Sequence, residues 1–171
     1  IEPRKNHWLL LLVWRELVGL LGPDAPHLVV IGQRGWECEN VVDMLERCSA
    51  LHGHVHEVGH CSDAQLAAYL AHAQALLFPS FTEGYGMPLA EALMAGVPVI
   101  ASDLPVFGEF AAGVPQWVSP LDGVGWLRAV MAYTDSQHPG RLAQLDRLRA
   151  WRAPTWAKHF EMVEDFLERL T

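Results

Sequence analysis

The spacing of apolar and polar positions changes period several times along the chain. Residues 6–21 carry apolar side chains at helical intervals, with Pro3 just before the entry and Gly22-Pro23 at the close. HLVVIG (27–32) is a short apolar run ended by glycine, the pattern of a buried strand. ECENVVDMLERCSAL reads as a helix and HVHEVG as a second strand. SDAQLAAYLAHA opens on Ser62-Asp63, good N-cap residues, and continues as a helix. QALLFPS is a strand ended by Pro79. MPLAEALMAG is a helix with Pro88 in its first turn and Gly96 at its end. VPVIAS predicts another strand, 106–111 a brief helix and QWVS a last short strand. Residues 123–134, 139–151 and 155–170 predict three further helices.

Strands alternating with helices of this length predict an α/β fold, a Rossmann-like parallel sheet with helices on both faces. Ligands of such sheets bind beyond the carboxyl ends of the strands. Attention therefore falls on Gly32 to Gly35, Gly59-His60, Pro79 to Met87, and Ser102-Asp103.

Composition narrows the reading. The 171 residues, 51% hydrophobic and 19% charged, fit one domain with a real core. A net charge of −8 argues against general nucleic-acid or anionic-membrane binding, which needs clustered cations. A small anion remains compatible, because a few local cations and helix ends can hold one. Cys38, Cys48 and Cys61 are odd in number and form no CxxC pair, the pattern of reduced thiols in a cytoplasmic protein. HWLLLLVWRELVGLLG is interrupted by Arg15 and Glu16 and is too short to span a bilayer. IEPRKNH reads as the loop after a strand that is not in the sequence, so the expectation is a domain cut from a larger protein.

The chemistry concentrates in residues 78–102. A strand ending at Phe78 leads into Thr82-Glu83-Gly84-Tyr85-Gly86, and a helix begins near Met87-Pro88. The two glycines let backbone approach a ligand, and the N–H groups of the helix start, Leu89 and Ala90 among them, favour an anion such as phosphate. Glu91 lies about one turn into the helix and Glu83 in the loop before it. A phosphate seat flanked by two carboxylates that accept hydroxyl hydrogen bonds suits a sugar nucleotide. Lys5, with Arg4 beside it, would bring a cation to the same end of the sheet and offset charge on a departing diphosphate. Spacing alone leaves open a solvated helix residue for Glu91 and a capping acid for Glu83.

Several segments in series resemble one family. EGYGMPLAEALMAGVPVIAS resembles the E-x7-E region of GT-B glycosyltransferases, specifically retaining family 4 (glycosyl transferases group 1), and IEPRKNH resembles its EPRKN motif. LVVIGQRGW, VGHCSDAQLAAYLAHAQALLFPS, DLPVFGEFAAG, VSPLD and the helix from Thr155-Trp156 follow in the family's order. The resemblance implies one half of a GT-B fold: residues 1–171 as the nucleotide-sugar-binding C-terminal domain, without its first strand and the N-terminal acceptor domain. It implies a retaining transferase that moves a sugar from a nucleotide-diphosphate donor, with a lean to GDP-mannose, to a polysaccharide, lipopolysaccharide or lipid-linked acceptor. It gives Glu91 the ribose hydroxyls and Glu83 a place beside the donor sugar. Gly84, Tyr85, Gly86, Met87, Pro88 and Leu89 would line sugar hydroxyls and phosphates through their backbone. Lys5 corresponds to the diphosphate lysine, with Arg4 beside it, while Gly32, Gly59 and His60 border the base. No cofactor or catalytic metal is implied, and the full-length protein would work in the cytoplasm, peripherally at the inner face of the membrane. The fragment alone would transfer little. Departures are the absent first strand with its further phosphate-binding cation, for which Arg34 is a candidate substitute, and Gly108, where many relatives carry a larger or basic residue. The rival readings are a non-catalytic Rossmann-like nucleotide-binding module and another GT-B enzyme such as an epimerase. His52, His54 and His56 would share one strand face, either as a metal cluster or as a solvated strand end. Among the tryptophans, Trp8 and Trp14 are expected against the sheet, and Trp126, Trp151 and Trp156 between the C-terminal helices.

Overall fold

The structure, a computed structural model, describes residues 1–111 and 113–170. Strands and helices alternate as β1 (Leu28–Ile31), α2 (Glu39–Arg47), β2 (Val55–Val58), α3 (Asp63–His72), β3 (Leu76–Phe78), α4 (Met87–Met94), β4 (Val99–Ser102), α5 (Pro105–Ala111) and β5 (Gln116–Val118). Helix α1 (His7–Leu21) precedes them; α6 (Gly123–Thr134), α7 (Pro139–Ala150) and α8 (Trp156–Glu168) follow. Ser62 caps α3 as expected, in a reciprocal capping box with Gln65.

All strand pairings among the described residues are parallel, but they form two sheets rather than one. β1 pairs with β2, with Val30 opposite Glu57, and β3-β4-β5 form a separate ladder, with Phe78 opposite Ala101. The first residues run between them. The Ile1 amino group donates to the Gln33 carbonyl, Gly35 N–H donates to Ile1 O at 2.9 Å, and Phe81 N–H donates to Arg4 O at 2.8 Å. Among the described residues, β1 and β3 therefore each keep an edge without a strand partner, toward the region that this segment enters.

One core links both sheets to α1 and α6: Leu11, Leu17, Leu28, Val30, Ile100 and Trp126 are buried together. A second, around Phe78, Leu89, Val99 and Phe107, packs α4 and α5 on the three-stranded sheet. Buried polar groups are paired where they join elements. Gln144, fully buried on α7, donates to the carbonyls of Val99 and Val114 at 2.7 and 3.0 Å and accepts from the Tyr133 hydroxyl at 2.9 Å. Trp14 is buried and donates to Pro26 O, as its helical spacing predicts, whereas Trp8 is 37% exposed. Trp126 and Trp151 pack inward, but Trp156 is 76% exposed: every described residue of α8 faces solvent, and Trp156, Phe160, Val163 and Leu167 form an unburied apolar stripe. Among the described residues, no helix is long and apolar enough to cross a membrane.

His7, the first residue of α1, is largely buried. Burial, and behind it the positive charges of the Ile1 amino group and Lys5, lower its pKa from 6.5 to about 4. The unfolded chain thus takes up this proton near pH 6.5, and the folded chain only near pH 4. The contribution is fully present above pH 6.5 and is lost as pH falls toward 4, a loss of about 3 kcal/mol at most. Chemical denaturation at pH 7 and pH 5 should show a loss of stability on acidification that shrinks in His7→Leu. An equal loss in both proteins would remove His7 from the account.

Candidate functional site

The loop after β3 gathers the charged residues expected there. The Glu83 side chain is only 7% exposed. Its Oε1 accepts from Lys5 Nζ at 2.6 Å and from Ser80 Oγ at 2.7 Å, and its Oε2 faces Arg4 Nη1 at 3.4 Å. Arg4 also pairs with Glu2 at 2.7 Å. Lys5 Nζ lies 5.5 Å from the centre of the Phe78 ring, so the cation is backed by an apolar face at the end of β3. Lys5 and Glu83 stand 78 residues apart in sequence, and the parallel topology brings them into contact.

Beyond Glu83 the loop turns into α4. Gly84 is exposed, and a methyl group there would meet nothing within 4 Å, so its backbone is open to a ligand. Gly86 has a different task. It has φ +95° as the residue preceding α4, and a Cβ on it would sit 2.5 Å from the Phe107 ring, so the missing side chain makes room for close packing against the core while its N–H stays at the helix start. The anion donors also shift. Leu89 and Ala90 donate their N–H groups to Gly86 O at 3.0 and 3.2 Å, Leu89 is buried, and Pro88 has no N–H. In this loop and helix start the N–H groups of Thr82, Glu83, Gly84, Tyr85, Gly86 and Met87 have no acceptor among the described residues, so the free donors lie earlier than expected. Tyr85 stacks on Phe110 at 4.6 Å and Met87 is exposed. Glu91, half-buried on the second turn of α4, makes no ion pair or side-chain hydrogen bond with the described residues.

The other candidates lie apart from this cluster. Gly32 follows β1 with φ +143° and donates to Val58 O, and Gly59 and His60 are exposed at the end of β2. Arg34 is not the spare cation the sequence suggests. Its guanidinium binds both oxygens of Glu57 at 2.7–2.8 Å and Glu46 at 2.7 Å, contacts that hold it protonated. The same Arg34 bonds hold the Glu57 carboxyl below its ordinary pKa, against the opposing effect of burial. The histidines do not share one strand face, because β2 starts only at Val55. His56 Nε2 instead lies 2.9 Å from His27 Nδ1, and the His54 ring stacks on His27 at 5.6 Å. Among the described residues no group of three or more His, Cys, Asp or Glu is placed to hold a metal ion.

Two residues of the cluster were not singled out from sequence. Ser80 is fully buried and donates to Glu83, and Asn6, next to Lys5 in the chain, is buried and donates to the Pro79 carbonyl. An Asn just before a helix is an N-cap signal, which would have marked Asn6 for a different role.

A family profile described as "Glycosyl transferases group 1" matches residues 1–113. The chain belongs to this family. It is 36% identical over 115 residues to the serotype-specific mannosyltransferase WbdA of Escherichia coli, covering 65% of this chain and 13% of that protein. It is 33% identical over 122 residues to the O-antigen chain mannosyltransferase B of Escherichia coli, covering 71% of this chain and 32% of that protein. The chain thus spans about a third or less of these relatives. The fold matches a structure of trehalose-6-phosphate synthase with a TM-score of 0.69 at 12% identity, over 86% of this chain and 39% of that one. The α/β architecture of this group 1 domain is the one found in GT-B glycosyltransferase structures.

Proposed function

We propose that this group 1 domain is the donor-binding half of a retaining glycosyltransferase and moves mannose from GDP-mannose. One observation carries the reading: a single loop and helix start hold a cation-paired carboxylate (Glu83 with Lys5 and Arg4), a run of backbone N–H groups from Thr82 to Met87 without acceptors among the described residues, and a carboxylate (Glu91) without a partner among them. A diphosphate fits the N–H groups and Lys5. Ribose hydroxyls fit Glu91, whose oxygens have no partner among the described residues. Glu83 lies beside the sugar, where its charge stabilises the positive charge that builds on the anomeric carbon as the bond to diphosphate breaks. Gly32, Gly59 and His60 border the base. The similarity to two mannosyltransferases supports the mannosyl group. Retention is the outcome that the E-x7-E resemblance of residues 83–91 implies.

A preceding domain supplies the acceptor site, and a strand entering between β1 and β3 completes the sheet. In that setting the protein works in the cytoplasm, against the inner face of the membrane, on a polysaccharide or lipid-linked acceptor. Lys5 and Lys158 are the only lysines, which gives the donor site a direct probe. GDP should raise the melting temperature and slow amine acylation at Lys5 while leaving Lys158 unchanged. If GDP, UDP and ADP all leave both readouts unmoved in folded protein, donor binding by this domain is wrong.

A further inference from the structure

Asn6 is placed where a helix cap belongs but does not cap α1. It has φ +55°, in the left-handed region, and its side chain makes no hydrogen bond to the helix. Its amide nitrogen instead donates to two carbonyls, Pro79 O at 3.1 Å and Pro120 O at 3.0 Å. Those prolines lie in the loops leaving β3 and β5, 73 and 114 residues away in sequence. Both hydrogens of the amide are therefore used to tie the turn carrying Arg4 and Lys5 to two sheet ends, and the residue is 6% exposed. Pro79 is followed by Ser80, which holds Glu83 from the other side, and Phe81 N–H donates to Arg4 O. Forgoing a cap leaves the first N–H groups of α1 without the usual side-chain acceptor, which is consistent with a residue kept for another purpose.

We propose that Asn6 is the positioning residue of the Lys5–Glu83 pair: its side-chain amide clamps the Lys5 turn to the Pro79 and Pro120 loops and so sets Lys5 Nζ against Glu83. Asn6 is not itself in contact with either charged group. Its functional meaning rests on the reading of Lys5 and Glu83 as the donor site, but its geometry is measurable without nucleotide.

The test is Asn6→Gly, which keeps the left-handed backbone without strain and removes only the amide. Competitive acylation with an amine reagent reads Lys5 against Lys158 in the same molecule. Asn6→Gly should raise the Lys5 rate roughly tenfold, the factor for loss of about one net hydrogen bond, with Lys158 unchanged. Calorimetry with GDP should show affinity weakened by a similar factor. A folded Asn6→Gly protein with a wild-type Lys5 to Lys158 ratio overturns the proposal, even if its melting temperature has dropped, because a merely structural residue would lower stability without freeing Lys5. Should Asn6→Gly not fold, Asn6→Asp carries the same readout, since aspartate tolerates the left-handed region and its carboxylate offers no N–H to the two carbonyls. Lys5 freed by the substitution in a chain that binds no nucleotide keeps the clamp and overturns the donor-site reading instead.

Discussion

Glu91→Ala is expected to abolish the stabilisation of the domain by GDP while leaving the unliganded melting temperature within a degree or two of wild type. The side chain has no partner among the described residues, so its removal breaks no bond of the folded protein. Its loss from a complex is different. Hydrogen bonds to a charged group contribute about 1.5–3 kcal/mol each, so losing two ribose hydroxyl contacts should weaken nucleotide binding roughly 100-fold or more. Calorimetry against GDP separates this from a folding defect. Unchanged affinity in Glu91→Ala would move the ribose to another acceptor. Glu83→Ala makes a contrasting control: it leaves Lys5 and Ser80 without the carboxylate they share and should disturb the unliganded protein as well.

Gly86→Ala should be the most destabilising single change in the loop. Its φ of +95° is unfavourable to any side chain, and the added methyl would meet the Phe107 ring at 2.5 Å, with Phe78 at 3.5 Å behind it. Phe107 is fully buried among α5, β3 and β4 and has no room to retreat. Left-handed backbone costs an alanine about 1 kcal/mol, and overpacking a filled core adds about 1–3 kcal/mol. The melting temperature should fall by about 10 °C. Gly84→Ala, two residues away, meets nothing within 4 Å and should leave stability unchanged while weakening nucleotide binding. Equal melting temperatures for the two variants would show that Gly86 is not packed as described.

That contrast shows where the sequence was legible and where it was not. Helices α1 and α6 and the alternation with strands follow from local periodicity, and α6 begins and ends where its pattern predicts. Glu83, Lys5 and Glu91 stand out as candidates from their segments, and topology brings the first two into an ion pair. What local pattern does not carry is the partner. Gly86 reads from sequence only as a ligand-approach glycine, and its packing against Phe107 is the part that local pattern misses; Arg34 looks like a free cation until Glu46 and Glu57 fold onto it. Leu89 and Ala90 sit within the first turn, but Gly86 O reaches back to accept from both. Asn6 carries a capping residue's identity with a clamp's geometry, because the two prolines that it binds are remote in sequence. The division of the sheet is likewise invisible to periodicity, which predicts strands and not their neighbours.

Among the described residues, the unpartnered edges of β1 and β3 have the geometry to which an extended segment can add. A short peptide of alternating β-branched residues, offered in trans, should dock in that lane as an inserted strand. Its carboxyl end would then point at the turn bearing Arg4 and Lys5, where the first residues already join both sheets. Edges of this kind are also where copies of a sheet protein pair with one another at high concentration.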